Sequence, residues 1–220
     1  SRNEVELSRT YTFYHSKKEW SGVPIMASNM DTTGTFDMHE RLSLHGMVTC
    51  IARHYNKDGI PWHLAERRNK LCVMSGISDK EILEIVGVAN TYSDVAFVGL
   101  DVANGYTINF VESVKQLRSL LPNATIIAGN VVTADMTAEL ILAGVDIVKV
   151  GVGPGSVCTT RTKTAIGYPQ LSAVIECADA AHGIGGHIIA DGGCNSSGDI
   201  VKAFAAGADF VMIAGMLAGH

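Results

Sequence analysis

The sequence predicts an α/β protein, a parallel (β/α)8 TIM barrel, on three observations. Short apolar runs rich in β-branched residues recur at nearly even intervals, and segments of helical period separate them. Few of the runs alternate apolar with polar. Val95-Ala-Phe-Val-Gly-Leu and Thr125-Ile-Ile-Ala-Gly are apolar almost throughout, the mark of parallel strands covered on both faces.

In chain order the expected strands are Pro24–Met30, Met47–Arg53, Lys70–Ile77, Val95–Val102, Thr125–Val132, Ile147–Gly153, His187–Gly193 and Asp209–Met216. The residues before Pro24, notably Thr10–Tyr14, read as a short hairpin or strand over the barrel floor. Between the strands lie amphipathic segments. Tyr106–Leu121 places Ile108, Val111, Val114, Leu117 and Leu121 on one stripe. Ser78 caps Asp79–Thr91, Thr133 caps Ala134–Ala143, and Ser197 caps Gly198–Ala206. Pro169 opens Gln170–Ala181, where its missing N–H costs little, and Gly144, Gly183 and Gly207 are expected to close helices in the left-handed conformation. A doubly wound open sheet is the alternative, but it rarely needs eight strands, and no GxGxxG follows the first run.

At 220 residues, with 47% hydrophobic and 18% charged, the chain suits one barrel domain over 1–220 and excludes disorder. A net charge of −5 without any block of like charges gives no reason to expect nucleic acid or membrane as partner. No apolar run approaches a membrane span, and the first seven residues are too polar for a signal peptide. Five widely spaced cysteines with no CxxC pair argue against zinc and against a secreted disulfide framework, so a cytoplasmic setting is expected. Because the chain starts at Ser1 and reaches His220 just after the eighth strand, the natural protein is expected to extend past one or both ends. The final helix and a catalytic flap would then lie outside this chain.

One interval breaks the even spacing. Between the sixth and seventh strands the helix is ordinary, so the excess lies in a loop from about Pro154 to Tyr168. Long loops inside compact domains are usually functional, and barrels place their chemistry on strand-to-helix loops. The loop region holds glycines at 151, 153 and 155, which let backbone N–H groups converge on an anion, with the Ser156 hydroxyl beside them. No Asp or Glu occurs from Ile147 to Ala173, whereas Lys149, Arg161 and Lys163 do. Cys158 follows. A free thiol has a pKa near about 8.5, and neighbouring cations and N–H groups are expected to lower it toward the reactive thiolate. Cys50, Cys72 and Cys177 sit in strand or helix patterns and read as small buried hydrophobes. Cys194 follows a strand end and stays open between the two readings. Other strand ends add Asn29-Met-Asp31, Asp101-Val-Ala-Asn-Gly-Tyr106, Asp191-Gly-Gly193 and Ala214-Gly-Met216 to the same rim. Glycines after strands seven and eight are where barrels often hold a phosphate. Each of these acids reads equally well as a turn former.

On these residues the chain resembles the GMP reductase and IMP dehydrogenase superfamily, and its reductase branch more closely. The resemblance runs from Ser1 to His220. It is carried by Asn29-Met-Asp-Thr-Thr-Gly-Thr-Phe, Leu100-Asp-Val-Ala-Asn-Gly-Tyr, Ala128-Gly-Asn-Val-Val-Thr, Lys149-Val-Gly-Val-Gly-Pro-Gly-Ser-Val-Cys-Thr-Thr-Arg and Gly167-Tyr-Pro-Gln-Leu-Ser-Ala-Val. The dehydrogenases usually insert a CBS domain after the second helix, and the second and third strands here leave no room for one. The resemblance implies reductive deamination of GMP to IMP and ammonia by NADPH, through a covalent thioimidate on Cys158. Thr160, with a glutamate beyond this chain, would protonate the leaving amine. It further implies that Ser156, Asp191, Gly192, Gly193, Ala214 and Gly215 hold the nucleotide. Arg53, Asp101, Val102, Ala103, Val152 and Gly153 would face NADPH, with Ser1 and Arg2 reaching it from a neighbouring subunit of a homotetramer. Arg53 stands where relatives carry a lysine. Carbonyls of Gly153, Gly155, Cys158 and Arg161 would bind a monovalent cation, potassium. The alternatives are an IMP dehydrogenase acting with NAD and a non-catalytic purine-nucleotide-binding barrel.

Overall fold

The computed structural model describes residues 4–57 and 59–219. A hairpin comes first: β1 (Arg9–Thr12) pairs antiparallel with β2 (Glu19–Gly22). Eight parallel strands follow, β3 (Ile25–Ala27), β4 (Val48–Ile51), β5 (Leu71–Ser75), β6 (Phe97–Asp101), β7 (Ile126–Val131), β8 (Ile147–Val150), β9 (His187–Asp191) and β10 (Phe210–Ile213). They close in chain order, with β10 hydrogen-bonded to β3. All eight lie inside the runs expected of them. The helices are α1 (Phe36–Ser43), α2 (Asp79–Thr91), α3 (Ile108–Leu120), α4 (Ala134–Leu142), α5 (Thr160–Thr164), α6 (Gln170–Gly183) and α7 (Ser197–Ala205). Two 3-10 segments, Arg53–Lys57 and Trp62–Lys70, replace a helix between β4 and β5. Among the described residues no helix is long and apolar enough to cross a membrane.

The period of two along each strand splits the core into two shells. Met26, Met74, Phe97, Ile147, Phe210 and Met212 point into the barrel. Their neighbours, such as Val73, Val98, Val148 and Val211, point outward and pack under the helices. The hairpin plugs the open floor. Phe13 and Trp20 are buried against Phe97, with ring centroids 5.8 Å apart in each pair.

Two aspartates at strand starts tie this floor together. Asp146, fully buried before β8, accepts N–H groups from His15 at 2.9 Å and Ser16 at 3.2 Å, so it clamps the hairpin's turn. Its other oxygen accepts the Ile126 N–H at 3.0 Å and pairs with the Arg118 guanidinium at 2.6 Å. Asp209, before β10, repeats the device with the Ile188 N–H and His182, both at 2.9 Å.

Several local expectations are corrected. Ile108 is 83% exposed, because it lies in the first turn of α3; the buried face runs through Phe110, Val111, Val114 and Leu117. Gly144 and Gly207 take positive φ as expected, but Gly183 stays inside α6 and Gly185 makes the left-handed turn. The α7 cap is Ser196 rather than Ser197; its extended backbone lets the hydroxyl accept the Asp199 N–H. Ser78 caps α2 with a full capping box through Glu81, while Thr133 caps α4 without a side-chain hydrogen bond.

His39 on α1 is fully buried, and neither ring nitrogen meets a hydrogen-bond partner among the described residues. Burial, and then the nearby Arg67 charge, depress its pKa from 6.5 to about 4. The unfolded chain therefore takes up a proton below about pH 6.5, while the folded protein resists until about pH 4. Stability contributed here is complete above the unfolded value and falls as pH drops through this window, by about 3 kcal/mol. Denaturant melts of wild type and His39→Leu between about pH 7 and 4 test this. The variant is expected to lose much of the acid-dependent slope; parallel slopes would refute the assignment.

Candidate active site

The strand ends converge on a cavity of about 520 Å3 at the C-terminal mouth of the barrel. That size falls in the range of small-molecule sites, roughly 300–1,000 Å3. Side chains from five strand ends form its floor. Lys149 sits on β8 between Ile147 and the C-terminal end, so strand parity turns it inward, where its side chain is 4% exposed. Its Nζ lies 2.8 Å from Asp101 on β6 and 3.2 Å from Asp191 on β9. Asn29, after β3, donates to Asp101 at 2.7 Å. Asn130, on β7, donates to Asp191 and to the Gly151 carbonyl, each at 2.8 Å.

Burial alone would lower the Lys149 pKa, but the adjacent Asp191 and Asp101 carboxylates outweigh it and raise the value. Burial would likewise raise Asp101, and the Lys149 ammonium overrides it to hold the carboxyl below its ordinary value. Two close approaches demand glycine. A Cβ at Gly129 would come within 2.4 Å of the Lys149 carbonyl oxygen, and one at Gly151 within 2.2 Å of that of Asp191.

Above this floor hangs the long loop from Gly151 to Pro169, which contains α5. Cys158 is exposed and faces the cavity with its Sγ 3.3 Å from the Thr160 hydroxyl oxygen. The thiol donates to that hydroxyl; as a thiolate, sulfur accepts from it. The Thr160 hydroxyl and backbone N–H are the main reasons the thiol pKa is lowered, and the Arg161 charge is secondary. Of the cations and N–H groups expected to lower it, the hydroxyl and N–H donors come first. Arg161 turns its guanidinium to the loop's own carbonyls at Val152 and Tyr168, and Lys149 is engaged by the aspartates below. The anion nest is also smaller than expected, since the Gly151 N–H is committed to Val131.

Cys158 contrasts with the other thiols. Cys50, Cys72 and Cys177 are buried, and burial raises the pKa of Cys72 and of Cys177. Cys194 lines the cavity rim, but burial and then the Asp199 charge raise its pKa, so it stays a thiol.

Ser156, Gly192, Gly193, Ala214 and Gly215 line the same cavity, as do Val102, Ala103, Val152, Gly153, Gly155 and Thr160. Arg53 reaches it from the end of β4, donating to the Asp101 carbonyl and pairing with Glu81 at 3.5 Å. Ser1 and Arg2 lie outside the described residues. The sequence reading counted Lys149 only as a cation near the loop and Asn29 only within a rim cluster, and it left Asn130 without a role; all three stand in the floor of the site. A single lysine inside the apolar run Ile147-Val-Lys-Val, with inward parity, is the signal that would have found the first. Asn130 keeps one buried oxygen, Oδ1, without a partner among the described residues.

A closed parallel barrel, with an exposed cysteine on a long strand-to-helix loop above a floor of paired charges, defines a class: TIM barrels with a cysteine loop over the C-terminal mouth. Within that class the chain belongs to the IMP dehydrogenase / GMP reductase domain family, whose model matches residues 4–220. It is 56% identical to human GMP reductase 1, across 100% of this chain and 65% of that protein. It is 54% identical to GMP reductase of Vibrio vulnificus strain YJ016, over 100% of this chain and 64% of the relative. The chain thus spans about 65% of the length of these curated relatives. Among solved structures, inosine 5′ monophosphate dehydrogenase from Legionella pneumophila superposes with a TM-score of 0.82 at 34% identity, over 98% of this chain and 65% of that one.

Proposed function

We propose that this chain carries the nucleotide-binding and nucleophilic machinery of a GMP reductase. The observation that carries the reading is the Cys158–Thr160 pair, poised over one cavity that also contains Asp101 and Asp191. The 54–56% identity to the reductases, against 34% to the dehydrogenase structure, favours the reductase branch.

In this reading Asp191 accepts ribose hydroxyls, and Ser156, Gly192, Gly193, Ala214 and Gly215 receive the phosphate. The Cys158 thiolate adds to purine C2, the C2–N bond breaks, and Thr160 passes a proton toward the departing amine, leaving a thioimidate. NADPH supplies the hydride that reaches C2; the C–S bond then breaks and returns the thiolate. GMP, NADPH and one proton give IMP, NADP and ammonia.

The residues fit a nicotinamide cofactor. Asp101, Val102, Ala103 and Val152 line the cavity beside the cysteine, and Arg53 brings a cation to the rim. A monovalent cation such as potassium fits the carbonyls of Gly153, Gly155, Cys158 and Arg161, which are oxygen donors. Those of Gly155 and Arg161 accept the N–H groups of Cys158 and Ala165, and each keeps a second lone pair. The reading carries with it a homotetramer in a reducing, cytoplasmic setting.

Two paired assays on the protein carrying this chain test the proposal. NADPH oxidation dependent on GMP is the expected outcome. NAD reduction dependent on IMP would move it to the dehydrogenase branch. Thermal stabilisation by GMP with neither turnover would make it a nucleotide-binding barrel only.

A further inference from the structure

Asp101 and Asp191 belong, in the proposed function, to opposite halves of the site, the cofactor half and the nucleotide half. They come from β6 and β9, yet both lie within 3.2 Å of one ammonium. That ammonium is almost without solvent, and no other cation lies so close to either carboxylate among the described residues. The chain Asn29–Asp101–Lys149–Asp191–Asn130 therefore crosses the whole mouth through side-chain contacts. The strand between Asp101 and Lys149, β7, gives way with Gly129, where any side chain would strike the Lys149 backbone.

We propose that Lys149 is a positioning residue which joins the two halves of the site, acting on nucleotide through Asp191 and on cofactor through Asp101. The inference rests on the reductase reading for the identity of the two ligands. Its physical basis is the charge count. One buried cation between two carboxylates, each about one-fifth exposed, leaves the triad at −1. Without the cation the two carboxylates are left uncompensated, and their mutual repulsion displaces both from the positions that the two ligands need. The other titratable groups facing the triad are Cys72 from β5 below, Arg53 on the Asp101 side and Cys158 on the Asp191 side. None of them supplies a cation to both acids.

The test is Lys149→Met, with GMP binding measured by calorimetry and the NADPH KM by turnover. Both are expected to weaken by at least about tenfold, as for truncation of one partner in a buried charge pair. Unchanged binding of either ligand would overturn the proposal. The double variant Lys149→Met/Asp101→Asn restores the triad charge of −1, and it separates charge from lost packing whether or not Lys149→Met folds. It should bind GMP within about tenfold of wild type while cofactor binding stays impaired. A nucleotide loss beyond that range in the folded double variant also overturns the proposal. Failure of the wild-type protein to bind GMP would instead sink the functional reading, so the two failures are distinguishable.

Discussion

Replacing Cys158 by alanine is expected to lower GMP-dependent NADPH oxidation by at least about 10^3-fold, the scale on which loss of a covalent nucleophile is felt. GMP affinity should change little, because the Cys158 side chain is exposed and props up nothing else. Serine should not rescue, since its hydroxyl is a far weaker acid than a thiol. The same residue supplies a readout independent of turnover. Thr160 holds the thiolate below the ordinary thiol value, so alkylation by iodoacetamide should persist at a pH where a free thiol near about 8.5 is already protonated. The sign follows from the direction of the shift: the thiolate fraction is lost only as pH falls through the lowered value. GMP should protect the thiol from alkylation. Turnover that survives Cys158→Ala would end the covalent reading, whatever the fate of the family assignment.

The second large effect is on stability. Asp146→Asn should destabilise the protein by about 3–5 kcal/mol, the cost of breaking a buried ion pair by removing one partner. The carboxylate accepts from four donors, Ile126, His15, Ser16 and Arg118. An amide offers one acceptor oxygen and brings two N–H donors against donors. For a domain of this size the loss corresponds to a fall in melting temperature of very roughly 6–20 °C. The hairpin should loosen first, since His15 and Ser16 have only this residue to anchor their N–H groups to β8. Scanning calorimetry decides the matter; a midpoint within about 2 °C of wild type would show that the clamp contributes nothing.

Much of the barrel was legible because its strands are buried on both faces. Runs such as Ile147-Val-Lys-Val and His187-Ile-Ile-Ala carry that burial in their composition, and the glycine, serine and proline punctuation set the helix limits nearly to the residue. The misreadings came where a local pattern has two neighbouring solutions. Ser196 and Ser197 both suit a cap, and only the backbone angles choose between them. Ile108 continues the apolar stripe of α3, but the first turn projects past the strands it would pack on.

The cysteine loop was visible because its signals are contiguous: one irregular spacing, a run of glycines, no acids and a cysteine. Its electrostatics were not. The sequence offers cations and loop N–H groups alike for lowering the thiol pKa; the fold engages Lys149 and the Arg161 guanidinium elsewhere, so the Thr160 hydroxyl and N–H lead and the Arg161 charge comes second. The same holds for the floor of the site. Residues 29, 101, 130, 149 and 191 are far apart in the chain and carry no shared pattern. They meet only because barrel closure brings the ends of β3, β6, β7, β8 and β9 around one mouth. What the sequence determined by itself was therefore periodic or contiguous: the strands, most caps, the loop and its nucleophile. Which charges neutralise one another was decided by tertiary structure alone, because Coulomb interaction depends on distance through space and on burial, and neither is written along the chain.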